Sequence, residues 1–261
     1  MDGPEQLTGA STATLEDRWV RVGEWDLHVL VPRMPVPGAV AVVYLAGFIV
    51  GGHSAVPLTV ELAKRYRVFA PDLPGYGDSP GPARTLKQRE QAEVVLGLLD
   101  ALGVARASLV ANSFAAQIAV EFAVRHPDRL ERLVLIGPGI DAHGRTPFHQ
   151  LLRFLRNSRE EDAWVPGMTS DYFKVGPRRI VETAWYALHH RMEELLPRID
   201  APTLVVRGEK DMIVPHRWVA EVASLLPNGR LVEVPEYAHG VERIGAPTLA
   251  RVIEDFLDEQ D

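Results

Sequence analysis

Cysteine is absent from the 261-residue chain. That absence removes disulfide frameworks, Cys-based zinc sites, Fe–S clusters and thiol nucleophiles together, so any nucleophile is an oxygen or a nitrogen. Positive charge is also in deficit: 28 Lys+Arg against 35 Asp+Glu leave a net charge of −7. This argues against a partner made of nucleic-acid phosphate or anionic membrane and favours a small-molecule substrate. Long apolar runs are missing too. The most apolar stretch, Ala39 to Val50, is broken by Gly47 and is far shorter than the ~20 residues that span a bilayer. The opening MDGPEQLTGASTATLEDR has no basic segment followed by an apolar one, so no secretory signal is expected and a cytoplasmic location is the expectation.

What is present is an ordinary globular composition, 46% hydrophobic and 24% charged, in a length that suits one α/β domain with a modest insertion. Strand-like and helix-like segments alternate from about Arg18 onward, the pattern of a mostly parallel sheet covered on both faces. Trp19–Val22 and Trp25–Pro32 flank Gly23-Glu24 and predict an edge hairpin. Ala39–Leu45 reads as a strand buried on both faces, ending in a Gly-rich loop, Ala46 to His53. Further strands are expected at Arg67–Ala70, Ala107–Ala111, Leu130–Ile136, Thr203–Arg207 and Arg230–Val234. Thr85-Leu-Lys-Gln88 has capping-box spacing for a helix closing at Gly103, and helices are expected at Phe114–Arg125, His216–Leu226 and Thr248–Leu257. Residues 140–199 break the rhythm with amphipathic helical patches and no strand. They are expected to form a helical cap inserted into a core of residues 1–139 and 200–261.

The strongest local signal is Ala111-Asn-Ser-Phe-Ala115, which sets a serine where a buried strand turns into a helix. Small residues two positions to either side let the two backbones approach, and the helix N-terminus offers the Phe114 N–H to a developing oxyanion. The plain alternative for Ser113 is a helix N-cap. Serine is a weak nucleophile without a base, so this reading needs a histidine and an orienting carboxylate. Asp211 and His239 each follow the carboxyl end of a later strand, where ligands gather in open α/β sheets. Glu209 and Asp72 are competing carboxylates, with Asp72 better read as bracing its own loop.

On these residues, on Asp72-Leu-Pro-Gly-Tyr-Gly-Asp-Ser79, on Arg125-His-Pro-Asp-Arg-Leu and on Gly208-Glu-Lys-Asp211 with Val214-Pro215, the chain resembles the α/β-hydrolase superfamily from about Trp19 to Leu257. The resemblance implies a mostly parallel twisted sheet of about eight strands with helices on both faces and an inserted cap. It implies a Ser113 nucleophile, a His239 general base and then acid, and an Asp211 that fixes the imidazole tautomer. It places the first oxyanion donor on the Phe48 backbone N–H, beside that of Phe114. Two departures concern the shape of that hole: Ala46-Gly47 stands where many relatives have His-Gly, and Ala111 and Ala115 stand where many have Gly. His53 is a candidate to brace the loop in place of the missing histidine.

No cofactor or metal is expected. Gly47, Gly51 and Gly52 precede no Gly-Lys-Ser/Thr, and His143, His149, His189 and His190 lack a second ligand set at useful spacing. Trp164, Trp185 and Tyr186 are read as apolar anchors of the cap, one of them a candidate to line an acyl pocket. Carboxylic ester hydrolysis is the expected activity. Asn112-Ser113 and Gly137-Pro-Gly139 are similar to the C–C bond hydrolases that cleave ring-fission diketones, although Gly240 stands where those carry an aromatic residue. Arg178, Arg179 and Arg191 are the candidates to hold such a substrate's carboxylate. A serine at the elbow disfavours dehalogenase and epoxide hydrolase chemistry, while haloperoxidases and acyltransferases share the triad. A non-catalytic binding module is the rival of another class; its signature would be a lost triad member, and all three are present.

Overall fold

Strand β1 (Leu15–Val22) pairs antiparallel with β2 (Trp25–Pro32) in a hairpin closed at Val22↔Trp25, with Gly23 at φ +56°. In this computed structural model, which describes residues 14–160 and 166–259, β2 continues antiparallel onto β4 (Arg67–Pro71). The remaining strands are β3 (Ala41–Leu45), β5 (Ala107–Asn112), β6 (Leu130–Ile136), β7 (Thr203–Gly208) and β8 (Gly229–Val234), and their pairings are parallel. The eight-stranded order is β1-β2-β4-β3-β5-β6-β7-β8. The chain steps outward from β3 to β4 and then returns to the other side of β3 as β5. The crevice where an open sheet binds ligands therefore lies at the carboxyl ends of β3 and β5.

β3 shows why this sheet is covered twice. Val43 and Leu45 join one core and Val42 and Tyr44 the other, all fully buried. The first core is closed by α2 (Gln88–Ala101), α3 (Ala115–Arg125) and α7 (His216–Leu225), which bring in Leu98, Phe122 and Trp218. The second is closed by α1 (Val56–Leu62) and α9 (Ala246–Leu257), with Leu58, Leu62, Ile253 and Phe256. Each such side chain contributes about 1.5–3 kcal/mol through burial. Between β6 and β7 stand α4 (Pro147–Glu160), α5 (Pro166–Val175) and α6 (Pro177–His189), and α8 (Val241–Ile244) follows β8. Among the described residues no helix is long and apolar enough to cross a membrane.

Two local expectations need correction. The start of α2 lies at Gln88 rather than Thr85: Glu90, in its first turn, accepts the Lys87 N–H at 2.9 Å, and the Thr85 hydroxyl instead donates to Glu182 at 2.6 Å. Spacing alone could not tell which of two overlapping Thr/Lys-x-x-Gln/Glu frames would be used. Helix α1 was not anticipated, although Pro57 in its first turn sits where a missing N–H costs nothing.

The amino-terminal hairpin is locked to the rest by a buried imidazole. His28 of β2 reaches Asp72 Oδ2 at 3.0 Å and Asp17 Oδ1 at 2.8 Å. Asp72, at the end of β4, also accepts the Gly52 N–H through Oδ1 and the Asp78 N–H through Oδ2, both at 2.7 Å. It thus braces its own Pro/Gly loop, as expected, and the loop after β3 as well. The hydrogen bond to Asp72, reinforced by Asp17 against the opposing effect of burial, raises His28 from 6.5 to about 9. The raised value means that this ion pairing stabilises the fold fully below about pH 6.5 and is lost as pH rises through about 9. Because Asp17 is solvent-exposed, the expected loss is about 2 kcal/mol, less than the whole shift implies. Urea unfolding at pH 6.5 and above pH 9 should show this decline in the wild type and a much flatter profile in His28→Gln. Parallel profiles would rule out the pairing.

Candidate active site

Ser113 occupies the turn between β5 and α3 with φ +53°, a left-handed backbone that costs a non-glycine residue energy. Three contacts hold it there. The Ser113 N–H donates to Ile136 O at 2.8 Å, and Ser113 O accepts from Ala116 N at 3.1 Å and Gly139 N at 3.2 Å. Ala111 and Ala115, both fully buried, keep the strand and helix close. The turn is thus an elbow and not a simple N-cap, since its side chain points outward: Ser113 Oγ lies 3.0 Å from His239 Nε2.

The opposite face of the same imidazole meets Asp211, with Nδ1 2.7 Å from Oδ2. A carboxylate there fixes the proton on Nδ1 and leaves the Nε2 lone pair facing the serine hydroxyl. Asp211 is itself held, because its Oδ1 accepts the Ile213 and Val214 N–H groups at 2.8 and 2.9 Å. The loops carrying Asp211 and His239 are stitched by Glu209 N→Val234 O at 3.0 Å and Lys210 N→Tyr237 O at 2.8 Å. Gly208 permits this approach: a Cβ there would lie 2.2 Å from Ala238 O. Gly137, at φ +48°, leaves room for the imidazole, since its Cβ would come within 3.1 Å of His239 Cε1.

Behind the loop is Arg207, a residue that sequence reasoning passed over. Its guanidinium donates to Val214 O, Glu209 O and Asp211 O at 2.7–2.9 Å and pairs with Glu233. Gln117 was missed in the same way: its amide spans Gly139 O at 3.2 Å and Ala187 O at 3.0 Å, joining α3 to the β6 loop and to α6. The available signal was a lone polar residue closing an apolar strand or inside an apolar helix, since a buried group of that kind has to find partners.

Phe48 and Phe114 flank Ser113 from the loops after β3 and β5, their rings edge-to-face at 5.9 Å. Neither backbone N–H has a hydrogen-bond acceptor among the described residues, so both remain able to donate. Together with Ser113 and His239 they line a cavity of about 680 Å³. Its walls are mostly apolar, supplied largely by α4, α5 and α6 through Leu151, Phe154, Tyr172, Ile180, Val181 and Trp185.

Other expected residues lie elsewhere. Glu209 is exposed and accepts the Glu236 N–H, away from His239. Arg178 pairs with Glu182, Arg179 donates to Pro82 O and Arg84 O, and Arg191 pairs with Glu194; none lines the cavity. Trp185 is 59% exposed at the cavity wall with its ring against His189, so it is not a buried anchor. Tyr186 is half-buried with the Lys87 ammonium over its ring, and Trp164 lies outside the described residues. His53 meets Asp171 of α5 at 3.2 Å. His143, His149, His189 and His190 bond separately to Glu221, Thr146, Trp185 O and Glu121. Among the described residues, His28, Asp72 and Asp78 bring three metal-type donors within 4.8 Å of one another, and the His28–Asp72 pairing already occupies that space.

The family described as alpha/beta hydrolase fold matches residues 40–180, and a second, described as TAP-like protein, matches residues 186–260. The chain is 31% identical to a 2-hydroxymuconate semialdehyde hydrolase of Pseudomonas sp. (strain CF600), over 77% of this chain and 80% of that one. Among solved structures it resembles the 2-hydroxy-6-oxo-6-phenylhexa-2,4-dienoate hydrolase of Rhodococcus sp. strain RHA1, with TM-score 0.75, 23% identity and coverage of 94% and 99%. It also resembles the carboxylesterase CesB of Bacillus subtilis, with TM-score 0.74, 18% identity and 98% of each chain covered. At these identities the two structures speak for a shared fold.

The geometry separates the two candidate carboxylates. Asp211→Asn should slow labelling of Ser113 by a fluorophosphonate probe by about a thousandfold or more, the scale seen when an imidazole loses its orienting carboxylate. Glu209→Gln should label at the wild-type rate. The reverse ranking, read by peptide mass spectrometry, would reassign the partner of His239.

Proposed function

The chain belongs to the α/β-hydrolase fold family and is a hydrolase; from that premise we propose that it cleaves neutral, largely apolar carboxylic esters through an acyl-enzyme on Ser113. The observation that carries this reading is the continuous Ser113–His239–Asp211 relay, at 3.0 and 2.7 Å, facing an apolar cavity of about 680 Å³.

His239 removes the Ser113 proton as the oxygen attacks the ester carbonyl. The resulting oxyanion is met by the Phe48 and Phe114 N–H groups and the positive end of α3. The imidazolium returns its proton to the leaving alkoxide, which departs as an alcohol. Water, deprotonated by the same imidazole, then attacks the acyl-enzyme; as the acid departs, the imidazolium returns that proton to the expelled Ser113 oxygen. Asp211 holds the ring and offsets its transient charge without taking the proton. Residues 140–199 act as the cap: their helices supply the apolar wall and keep water from the acyl group.

A second reading, hydrolysis of a C–C bond in a ring-fission diketone, is favoured by the 31%-identical relative and by Asn112 beside Ser113 in the cavity wall. Against it stands the wall's charge. Among the described residues the arginine lining the cavity is Arg243, whose guanidinium lies 3.7 Å from the Glu242 carboxylate, and Asp141 in the wall is itself paired with Arg153 and Arg217. A substrate carboxylate entering there would lose hydration for little net attraction.

Ser113→Ala and His239→Ala should each lower hydrolysis of p-nitrophenyl esters by about three orders of magnitude or more without changing the circular dichroism spectrum. Near wild-type turnover in either folded variant would overturn the assignment. In the wild type, kcat/KM for an apolar ester should exceed that for a 2-hydroxy-6-oxo dienoate. A reversed preference would bring the C–C reading forward.

A further inference from the structure

The loop after β3 contains a second strained residue. Ile49 has φ +55° and is fully buried, and a β-branched side chain is among the least tolerant of that conformation. It directly follows Phe48, so whatever holds Ile49 also aims the Phe48 N–H. The far end of the loop is held at two consecutive backbone groups by two carboxylates. Asp72, from the sheet, accepts the Gly52 N–H at 2.7 Å. Asp171, from α5, accepts the Gly51 N–H at 2.9 Å with the oxygen that also meets His53 Nε2 at 3.2 Å.

Asp171 is a costly residue to bury on a helix whose Tyr172 and Val175 pack against the apolar core and whose exposed Lys174 pairs with Asp78. Its side chain is fully buried, and its other oxygen, Oδ1, has no hydrogen-bond partner among the described residues. An apolar residue would fill the same space without leaving an acceptor unsatisfied. The groups that face it are His53 on the loop, Asp72 at the sheet edge and Lys174 on its own helix. Burial pushes its carboxyl up, and the Gly51 N–H and His53 oppose that.

We propose that Asp171 is a positioning residue that ties helix α5 to the oxyanion loop, so that the Phe48 N–H is aimed at the reacting carbonyl oxygen only while α5 is seated. This rests on the ester-hydrolase reading above and extends it: the cap helix completes the oxyanion site from outside the sheet as well as walling the cavity. His53 is the loop's own contact in the clamp, a brace that acts through the cap and not in place of a catalytic-loop histidine.

The test compares wild type with Asp171→Ala and Asp171→Asn on a p-nitrophenyl ester, with Ser113→Ala as a control. Each protein is also titrated with a boronic acid that forms a tetrahedral serine adduct and with a neutral apolar alcohol that fills the cavity without forming one. Asp171→Ala should lower kcat by about 10–100-fold, the range for a displaced oxyanion donor, and leave KM within about threefold. Boronate affinity should fall by the same factor while alcohol affinity holds. Asp171→Asn, whose amide oxygen still accepts the Gly51 N–H, should recover most of the loss. Asp171→Leu, which keeps the buried volume, stands in should the alanine variant fail to fold.

Wild-type kcat and boronate affinity in the folded variant would overturn the positioning role while Ser113→Ala still abolished turnover. Equal weakening of both inhibitors would overturn it as well, because that is the mark of general pocket damage. Retained turnover in Ser113→Ala would remove the ester-hydrolase reading and this proposal with it.

Discussion

The site depends on backbone held where it would not rest by itself. Among the described residues, the non-glycine positions with left-handed φ are Ile49, Ser113 and Glu236, and each lies in a loop that carries a residue of the candidate site. Ser113 carries the candidate nucleophile and precedes Phe114, Ile49 follows Phe48, and Glu236 lies three residues before His239. A strained residue persists only when its surroundings over-determine it. The surroundings here are specific: Ile136 O and Gly139 N at Ser113, paired carboxylates at the loop of Ile49, and the stitched 208–210 and 234–237 segments at Glu236.

Buried carboxylates do much of this holding, in three different chemical settings. Asp211 accepts two backbone N–H groups and the imidazole of His239. Asp72 accepts two backbone N–H groups and the raised imidazole of His28. Asp171 has one N–H and one imidazole and leaves an oxygen unmet. In each case the negative charge is directed into backbone amides and imidazoles, and the wall of the cavity beside the candidate site is mostly apolar. It also links the helices between β6 and β7 to the sheet, since Asp171 of α5 bonds to the loop after β3.

Much of this was legible in the chain. Short, largely apolar segments such as Ala39–Leu45 and Thr203–Arg207 marked the parallel strands, because a strand buried on both faces has no alternation to offer. The elbow was legible because only small residues allow a strand and helix to meet so tightly, and Ala111 and Ala115 serve where relatives have glycine. Asp211 and His239 could be read from chain order and strand ends. The choice of Asp211 over Glu209 could not, since the two lie two residues apart in one loop and only the backbone path turns one inward. The Thr85 frame failed for a similar reason, its hydroxyl being captured by Glu182 from a helix almost a hundred residues away in sequence.

By itself, then, the sequence determined the eight-stranded sheet, the chain order of its candidate site residues and the family to which the chain belongs, because these follow from local periodicity and from motifs only a few residues long. Tertiary structure alone decided what surrounds the serine. The apolar wall, the hold of Arg179 on Pro82 O and the reach of Asp171 to Gly51 are contacts between segments from tens of residues to more than a hundred apart in sequence. Their energies depend on distance and burial in the folded state, and neither is encoded in the spacing of residues along the chain.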